Sequence, residues 1–494
     1  MSRGPDRSGA VPPRSSRRGQ GSAGAGRAPP WYGRPVPESA LTPAIREEIA
    51  RVGSADIMVG IPSYRNAATI GHVVRAAQAG LVQYFPDLRP VVVNSDGGSA
   101  DGTQRVVVET EPPDYIERIL LVRPQNRLTR VSLTYPDVDG VSGKGAALRT
   151  LFLIARELGV QALVVVDSDL RSIVPEWIEL LAGPVLKGGY DYVSPLYARH
   201  KWDGTITNTV TYPLTRALYG LRIRQPIGGD FGVSGDLVAA YLERDDWDPE
   251  VSRFGIDIWM TTAAVAGGFA VCEARLGAKV HDPKDPGADL GPMFRQVVAT
   301  ALRLSAGNAD RWLDVSGSRP VPAYGFERMA DPPPLAVDTL RLLGAFHEGS
   351  LALADTWRAM LAPATAREVL ALATEAGRLV DAADARGGHG AVATHSPESR
   401  TEALADLVAA FSFPDDLWAQ VVYDLIVTTG SGRMEPDAVA AALAPVYLGR
   451  VGSLVVETRR MTAEEAEDRV EAQARAFERL KPSLVERWRA EVTA

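Results

Sequence analysis

The stretch Val164-Val165-Val166-Asp167-Ser168-Asp169 decides how this chain is read. A run of β-branched residues reads as a strand buried on both faces, and here it ends in two carboxylates one residue apart. In open α/β sheets, ligands bind at the carboxyl edge of the strands. Alternate side chains on an extended segment share a face, so the pair leaves the sheet pointing roughly one way. Neighbouring carboxylates repel unless a cation neutralises them, and hard oxygen ligands suit Mg2+ or Mn2+. The stretch therefore points to a metal and a phosphate-bearing ligand. Alone, Asp-x-Asp is a weak signal, since it also occurs in loops that merely cap helices.

Around it the pattern alternates strand and helix. Ile57–Ile61, Pro90–Asn94, Ile119–Val122 and Ala162–Val166 read as strands. The segments 68–85, 102–110 and 144–158 read as helices, and Val174–Ile178 as a further helix start with Pro175 in its first turn. Such a series predicts a mainly parallel sheet covered on both faces. Beyond Tyr324 the pattern changes. Asp331-Pro332-Pro333-Pro334 reads as a stiff linker, followed by helices over 335–360, 366–382, 400–411, 414–429, 436–458 and 462–492, with a glycine-rich loop at 386–390. No internal repeat of fixed period is found. The expected layout is a disordered basic tail and lead-in over 1–53, an α/β domain over 54–325 and an α-helical domain over 326–494.

Composition bounds the function. With 494 residues, 46% hydrophobic and 23% charged, the chain has the profile of an ordinary soluble globular protein of more than one domain. A net charge of −8 argues against nucleic acid as the main partner. One cysteine, Cys272, excludes an intramolecular disulfide framework and makes a cytoplasmic setting the default. No apolar run reaches the ~18 residues of a membrane span. Residues 1–30 are too poor in large apolar side chains to offset chain entropy. Ser16-Arg17-Arg18 lacks the apolar segment that an export signal needs.

Several further motifs follow predicted strands. Gly60-Ile61-Pro62-Ser63-Tyr64-Arg65-Asn66 opens a helix, where backbone amides approach a nucleotide closely. In Asn94-Ser95-Asp96-Gly97-Gly98-Ser99-Ala100-Asp101, Asp96 is placed to accept from a base or ribose, whereas Ser99 or Asp101 reads equally well as a helix cap. Gly143-Lys144-Gly145 lacks the P-loop spacing, although Lys144 has the reach for a diphosphate. Gln225-Pro226-Ile227-Gly228-Gly229-Asp230 and Phe254-Gly255-Ile256-Asp257 each set a carboxylate beside small residues. Asp257 also fits a plain helix-start charge. His281, in Val280-His281-Asp282-Pro283-Lys284, is a candidate third metal ligand, though a lone histidine is more often structural.

Taken in order, these elements resemble a GT-A glycosyltransferase with a Rossmann-like sheet. The early motifs are similar to family 2-type enzymes. Gln225–Asp230, Phe254–Asp257 and Val280-His281 resemble the retaining mannosylglycerate synthases and glucosyl-3-phosphoglycerate synthases, and Leu290-Gly291-Pro292-Met293-Phe294-Arg295-Gln296-Val297 adds to the latter likeness. The segment after Pro334 is similar to the C-terminal domain of mannosylglycerate synthase. The resemblance implies that Pro62, Tyr64, Asp96, Lys144 and Ser168 line a nucleotide pocket. Asp169 and His281 would ligate Mg2+ or Mn2+, with Asp167 nearer the ribose or bound through water. The Gly228-Gly229-Asp230 turn would face the donor sugar, with Asp230 and Asp257 on the catalytic side. Asp257 would orient the acceptor hydroxyl or take its proton. The loop 282–291 would close over the donor.

Two departures bear on the substrate. Asp230 stands where relatives often carry Glu. Gly204-Thr205-Ile206-Thr207 stands where phosphoglycerate-using relatives have Gly-Arg-x-Thr, so a phosphate-binding guanidinium is missing. Arg199, Thr207 and Asn208 remain as acceptor-binding candidates. The expectation is a metal-dependent retaining hexosyltransferase that uses GDP-mannose or GDP-, UDP- or ADP-glucose. D-glycerate is the preferred acceptor, with 3-phosphoglycerate as the alternative. A catalytically silent GT-A binding or assembly module is the alternative from another class, and the helical domain is a plausible homodimer surface.

Overall fold

The structure, a computed structural model, describes residues 41–114, 116, 128–135, 143–280, 291–326, 332, 334–387 and 408–493. The described residues fall within one compact unit. Its strands in chain order are β1 (Ile57–Ser63), β2 (Pro90–Asp96), β3 (Thr129–Thr134), β4 (Ala162–Val165), β5 (Tyr192–Ala198), β6 (Leu221–Arg222), β7 (Phe231–Ser234), β8 (Val271–Ala278), β9 (Arg319–Pro320) and β10 (Ala323–Tyr324). Eight form one sheet in the order β10-β8-β5-β7-β4-β1-β2-β3, and β6 pairs with β9 apart from it.

All residues of β1, β2 and β4 are buried, as the apolar runs that open them predict for strands covered on both faces. β1 pairs in parallel with β2 and with β4, placing Ile57 beside Pro90 and beside Ala162. β7 runs antiparallel to both its neighbours, β4 and β5. This is the expected GT-A-like architecture of a mainly parallel sheet with helices, followed by a helical region.

Several elements differ from the sequence reading. The strand expected at Ile119–Val122 lies outside the described residues, and the strand beside β2 is Thr129–Thr134. Its Thr-Arg-Val-Ser-Leu-Thr alternation suits a half-exposed edge strand rather than a buried run. The lead-in before Ser54 is not irregular throughout. Helix Pro43–Val52 is capped by Thr42 and buries Ile45 in the core, while the tail over 1–40 lies outside the described residues. Arg386 and Gly387 end helix Pro363–Gly387 rather than forming a loop, and most of the helix expected at 400–411 lies outside the described residues.

The helical region, with Thr339–Met360, Pro363–Gly387, Asp415–Gly430, Pro436–Thr458 and Ala463–Glu491, shares its core with the α/β half. Phe294 stacks on Tyr447 with ring centroids 4.1 Å apart, and Trp418 Nε1 donates to the Thr209 carbonyl at 2.6 Å. Helix Pro436–Thr458 is long and apolar enough by composition to cross a membrane, which corrects the expectation that no run reaches that length. In this fold 72% of its apolar window is buried inside the protein.

Candidate active site

Because β7 runs against its neighbours β4 and β5, its first residue shares an edge with the last residues of β1, β4, β5 and β8. That edge receives Asp167 two residues after β4, Arg199 directly after β5, Asp230 directly before β7 and Lys279 directly after β8. A cavity of about 680 Å3 opens there, a size suited to a small ligand. Of the residues expected at a nucleotide sugar, Pro62, Tyr64, Lys144, Asp167, Ser168, Gly228 and Gly229 line it. Arg199, Thr207 and Asp257, expected on the acceptor side, line it as well, as does the metal candidate Asp169.

Alternating charges run along one wall. Lys144 Nζ lies 3.1 Å from Asp257 Oδ2 and 2.9 Å from Asp167 Oδ1. Lys279 Nζ continues the series, 2.8 Å from Asp167 Oδ2 and 2.9 Å from Asp230 Oδ2, and donates to the Gly228 carbonyl at 2.7 Å. Asp230 also accepts from the Asp167 backbone N–H at 2.8 Å and from the Tyr197 hydroxyl. Burial by itself would raise the pKa of Asp167, but Lys144 and Lys279 hold it well below the usual carboxylate range. Burial by itself would lower that of Lys144, but Asp167 and Asp257 lift it above the usual lysine range. For Asp257 burial outweighs Lys144 and raises the pKa, and its Oδ1 is buried without a hydrogen-bond partner among the described residues.

Backbone contacts explain how Lys144 and Asp257 meet. A β-carbon at Gly145 would lie 1.8 Å from the Val251 carbonyl oxygen, so only glycine lets the segment 251–253 rest on this turn. Helix Ile256–Ala266 then begins beside helix Lys144–Glu157 and presents Asp257 to Lys144. Gly229 has φ +95°, and a β-carbon there would lie 2.3 Å from Asp167 Oδ2. The Gly-Gly turn is thereby kept clear for the Lys279 bridge.

Three expected site residues do not line the cavity. Asp96 is fully buried, and its carboxylate accepts from Ser63 Oγ, the Gly98 and Ser99 amides, Ser99 Oγ and Gln104 Nε2. It builds the turn after β2, with no oxygen left for a base or ribose. Asp230 is likewise fully buried, behind Lys279 and Tyr197, so it braces the floor rather than touching the cavity. The Asn208 side chain accepts from Arg224 at 2.8 Å and donates to the Asp203 carbonyl at 3.3 Å, which turns it away from any acceptor. His281 and the loop expected to close over the donor, apart from Gly291, lie outside the described residues. Sequence reasoning missed Lys279, although the rule that singled out Asp167, a polar residue at a strand's carboxyl end, selects it equally.

Asp169 is half-buried on the cavity wall, and its carboxylate makes no hydrogen bond or ion pair with a described residue. Asp167, Asp230 and Asp257 are paired with Lys144 and Lys279, and Asp169 lines the same cavity outside that series. An unspent hard-oxygen donor in such a wall fits one ligand of Mg2+ or Mn2+. Among the described residues, no group of three His, Cys, Asp or Glu side chains is placed to hold a metal.

At the other end, Arg199 Nη1 and Thr207 Oγ1 lie 3.7 and 3.8 Å from the point a β-carbon on Gly204 would occupy. Arg199 stacks over Tyr197 at 5.2 Å and lies 3.5 Å from Asp203, and its Nε is buried without a hydrogen-bond partner among the described residues. Thr205 is buried, and its hydroxyl lies 2.7 Å from Tyr447 Oη, so it faces the helical region. Thr207 opens a single π-helical turn, Thr207–Thr211, a local irregularity that often accompanies functional sites.

Residues 98–300 match the family model described as "Mannosylglycerate synthase, GT domain", about two fifths of the chain. No curated protein sequence matches. Among solved structures, glucosyl-3-phosphoglycerate synthase from Mycobacterium tuberculosis in complex with Mn2+, UDP-glucose and phosphoglyceric acid matches at 26% identity. That match covers 52% of this chain and 83% of the other, with a TM-score of 0.39. The same enzyme with Mg2+ and UDP matches at 26% identity over 52% and 82%, with a TM-score of 0.37. A mycobacterial protein matches at 25% identity over 56% and 80%, also with a TM-score of 0.37. The family match bears out the resemblance read from the motifs, and residues 98–300 form a glycosyltransferase domain.

Proposed function

We propose that this chain transfers a hexose, mannose or glucose, from a nucleotide sugar to D-glycerate with retention of anomeric configuration and with Mg2+ or Mn2+ bound. The observation that carries the reading is the Asp257–Lys144–Asp167 charge series on the wall of the cavity that also holds the unspent Asp169. The candidate donors are GDP-mannose and GDP-, UDP- or ADP-glucose.

Each residue then has a stated task. Lys144 stays protonated between two carboxylates and offers positive charge to the departing diphosphate. Asp169 would ligate the divalent cation with His281, and the bound cation supplies Lewis-acid stabilisation of the leaving group. Asp257, with a raised pKa and an unpartnered Oδ1, takes the acceptor hydroxyl's proton. The acceptor oxygen bonds to the anomeric carbon, and the bond from that carbon to the diphosphate breaks. Arg199 and Thr207 hold the glycerate carboxylate beside Gly204.

The acceptor is tested by measuring kcat/KM for glycerate and for 3-phosphoglycerate in the parent and in Arg199→Gln. The reading expects glycerate to be preferred, and expects the variant to lose tenfold or more on glycerate with donor KM unchanged. Preference for 3-phosphoglycerate, or an unaffected variant, would overturn the acceptor assignment.

A further inference from the structure

Most cations of the cavity are already engaged. Lys144 and Lys279 serve carboxylates, and Arg199 serves Tyr197 and Asp203. Arg253 differs. It lines the cavity, half-buried, and its guanidinium makes no hydrogen bond or ion pair with a described residue.

Its position is set by the backbone. A β-carbon on Gly143 would lie 2.9 Å from Arg253 Cα and 3.1 Å from its Cγ, so the arginine stem rests on that glycine. The Gly143 N–H donates to Tyr135 Oη at 3.1 Å. Tyr135 Oη and Tyr64 Cδ2 lie 3.2 and 3.0 Å from where a β-carbon on Gly97 would stand. Two aromatic side chains and the stem of Arg253 thus gather at one end of the cavity that Arg253 lines. Tyr64 is 56% exposed with Arg65 Cζ 5.1 Å from its ring centroid, so one ring face carries a guanidinium and the other is left for a planar ligand ring to stack on.

Hydrogen-bonding capacity at this end is one-sided. The Asp96 carboxylate is buried and spent on its own turn. Asn66 Oδ1 already accepts from the Tyr64 N–H at 3.0 Å and from Ser168 Oγ at 2.8 Å. Arginine only donates. Guanine and uracil present carbonyl acceptors on the edge where adenine and cytosine present an amino donor.

We propose that Arg253 reads the base of the nucleotide donor and selects a keto base, uracil or guanine, over adenine and cytosine. This rests on the nucleotide-sugar reading above. The test titrates the full-length chain, at fixed Mn2+, with UDP, GDP, CDP and ADP by calorimetry. In the parent, UDP or GDP binds about tenfold or more tighter than both CDP and ADP, the low end of what a bidentate arginine–base pair discriminates. Arg253→Met brings the four within about threefold of one another, Arg253→Lys is intermediate, and Tyr64→Ala weakens all four alike. An undiscriminating parent, or a folded Arg253→Met that keeps the preference, overturns the proposal. If no nucleoside diphosphate binds the parent, the nucleotide-sugar reading itself falls and takes this inference with it.

Discussion

Replacing Lys279 by methionine removes the one side chain that joins Asp167, Asp230 and the Gly228 carbonyl. The two ends of the bridge fare differently. Asp167 keeps Lys144 at 2.9 Å, so its charge stays compensated. Asp230 is fully buried and keeps only the Tyr197 hydroxyl and the Asp167 amide, neither of which carries charge. Removing one partner of a buried pair costs about 3–5 kcal/mol, because the remaining charge is stranded. An exposed pair would cost about 0–1 kcal/mol. Adding Asp230→Asn removes the stranded charge, so the double variant should recover about 2–3 kcal/mol of the loss. The assay is urea unfolding followed in parallel by tryptophan fluorescence and far-ultraviolet circular dichroism, with coincident transitions as the condition for comparing free energies. A single variant that loses less than about 1 kcal/mol, or a double variant no more stable than the single, would refute the bridge as a buried, charge-compensating element.

Other perturbations test other parts. Burial, against the Arg224 N–H and the Arg224 and Arg275 charges, lifts the Glu273 pKa from 4.5 to about 7. Between those values the folded state keeps a proton that the unfolded state has lost, so stability falls as pH rises through that window. Glu273→Gln should remove this slope, worth at most about 3 kcal/mol, and identical parent and variant profiles from pH 5 to 8 would contradict it. Gly145→Ala should drive the segment 251–253 off the Lys144 turn and cut turnover at least a hundredfold, whereas Gly344→Ala, with nothing within 4 Å of the new carbon, should be harmless. Equal activity in the two alanine variants would refute the close-approach argument. Asp169→Ala should abolish Mn2+-stimulated turnover while leaving the circular dichroism spectrum intact, and undiminished stimulation would sink its assignment as a ligand.

The central strands were legible because β1, β2 and β4 open on apolar runs, and the carboxylates after β4 follow from where such runs end. β7 was not legible. It is four residues long, and its importance comes from running against its neighbours, which no local pattern encodes. Asp96 and Asp230 were recognised as special residues but given the wrong contacts. A motif tells which carboxylates a turn needs, not whether the turn itself consumes them. The shared core was likewise hidden, since the periodicity of helices such as Gly291–Gly307 and Pro436–Thr458 reveals a buried face but not the partner that buries it. The glycines at 143 and 145 read only as the start of a helix around Lys144, whereas they mark where backbone meets backbone.

The most direct measurement incubates the full-length protein with GDP-mannose, GDP-glucose, UDP-glucose and ADP-glucose, each against D-glycerate and 3-phosphoglycerate, with Mg2+ or Mn2+ and without, and identifies products by proton NMR. The account predicts a metal-dependent glycosyl-glycerate whose anomeric proton shows the same configuration as the donor. A product of inverted configuration would contradict the retaining reading, and the absence of any glycosylated product in every combination would contradict the assignment of this cavity to hexose transfer.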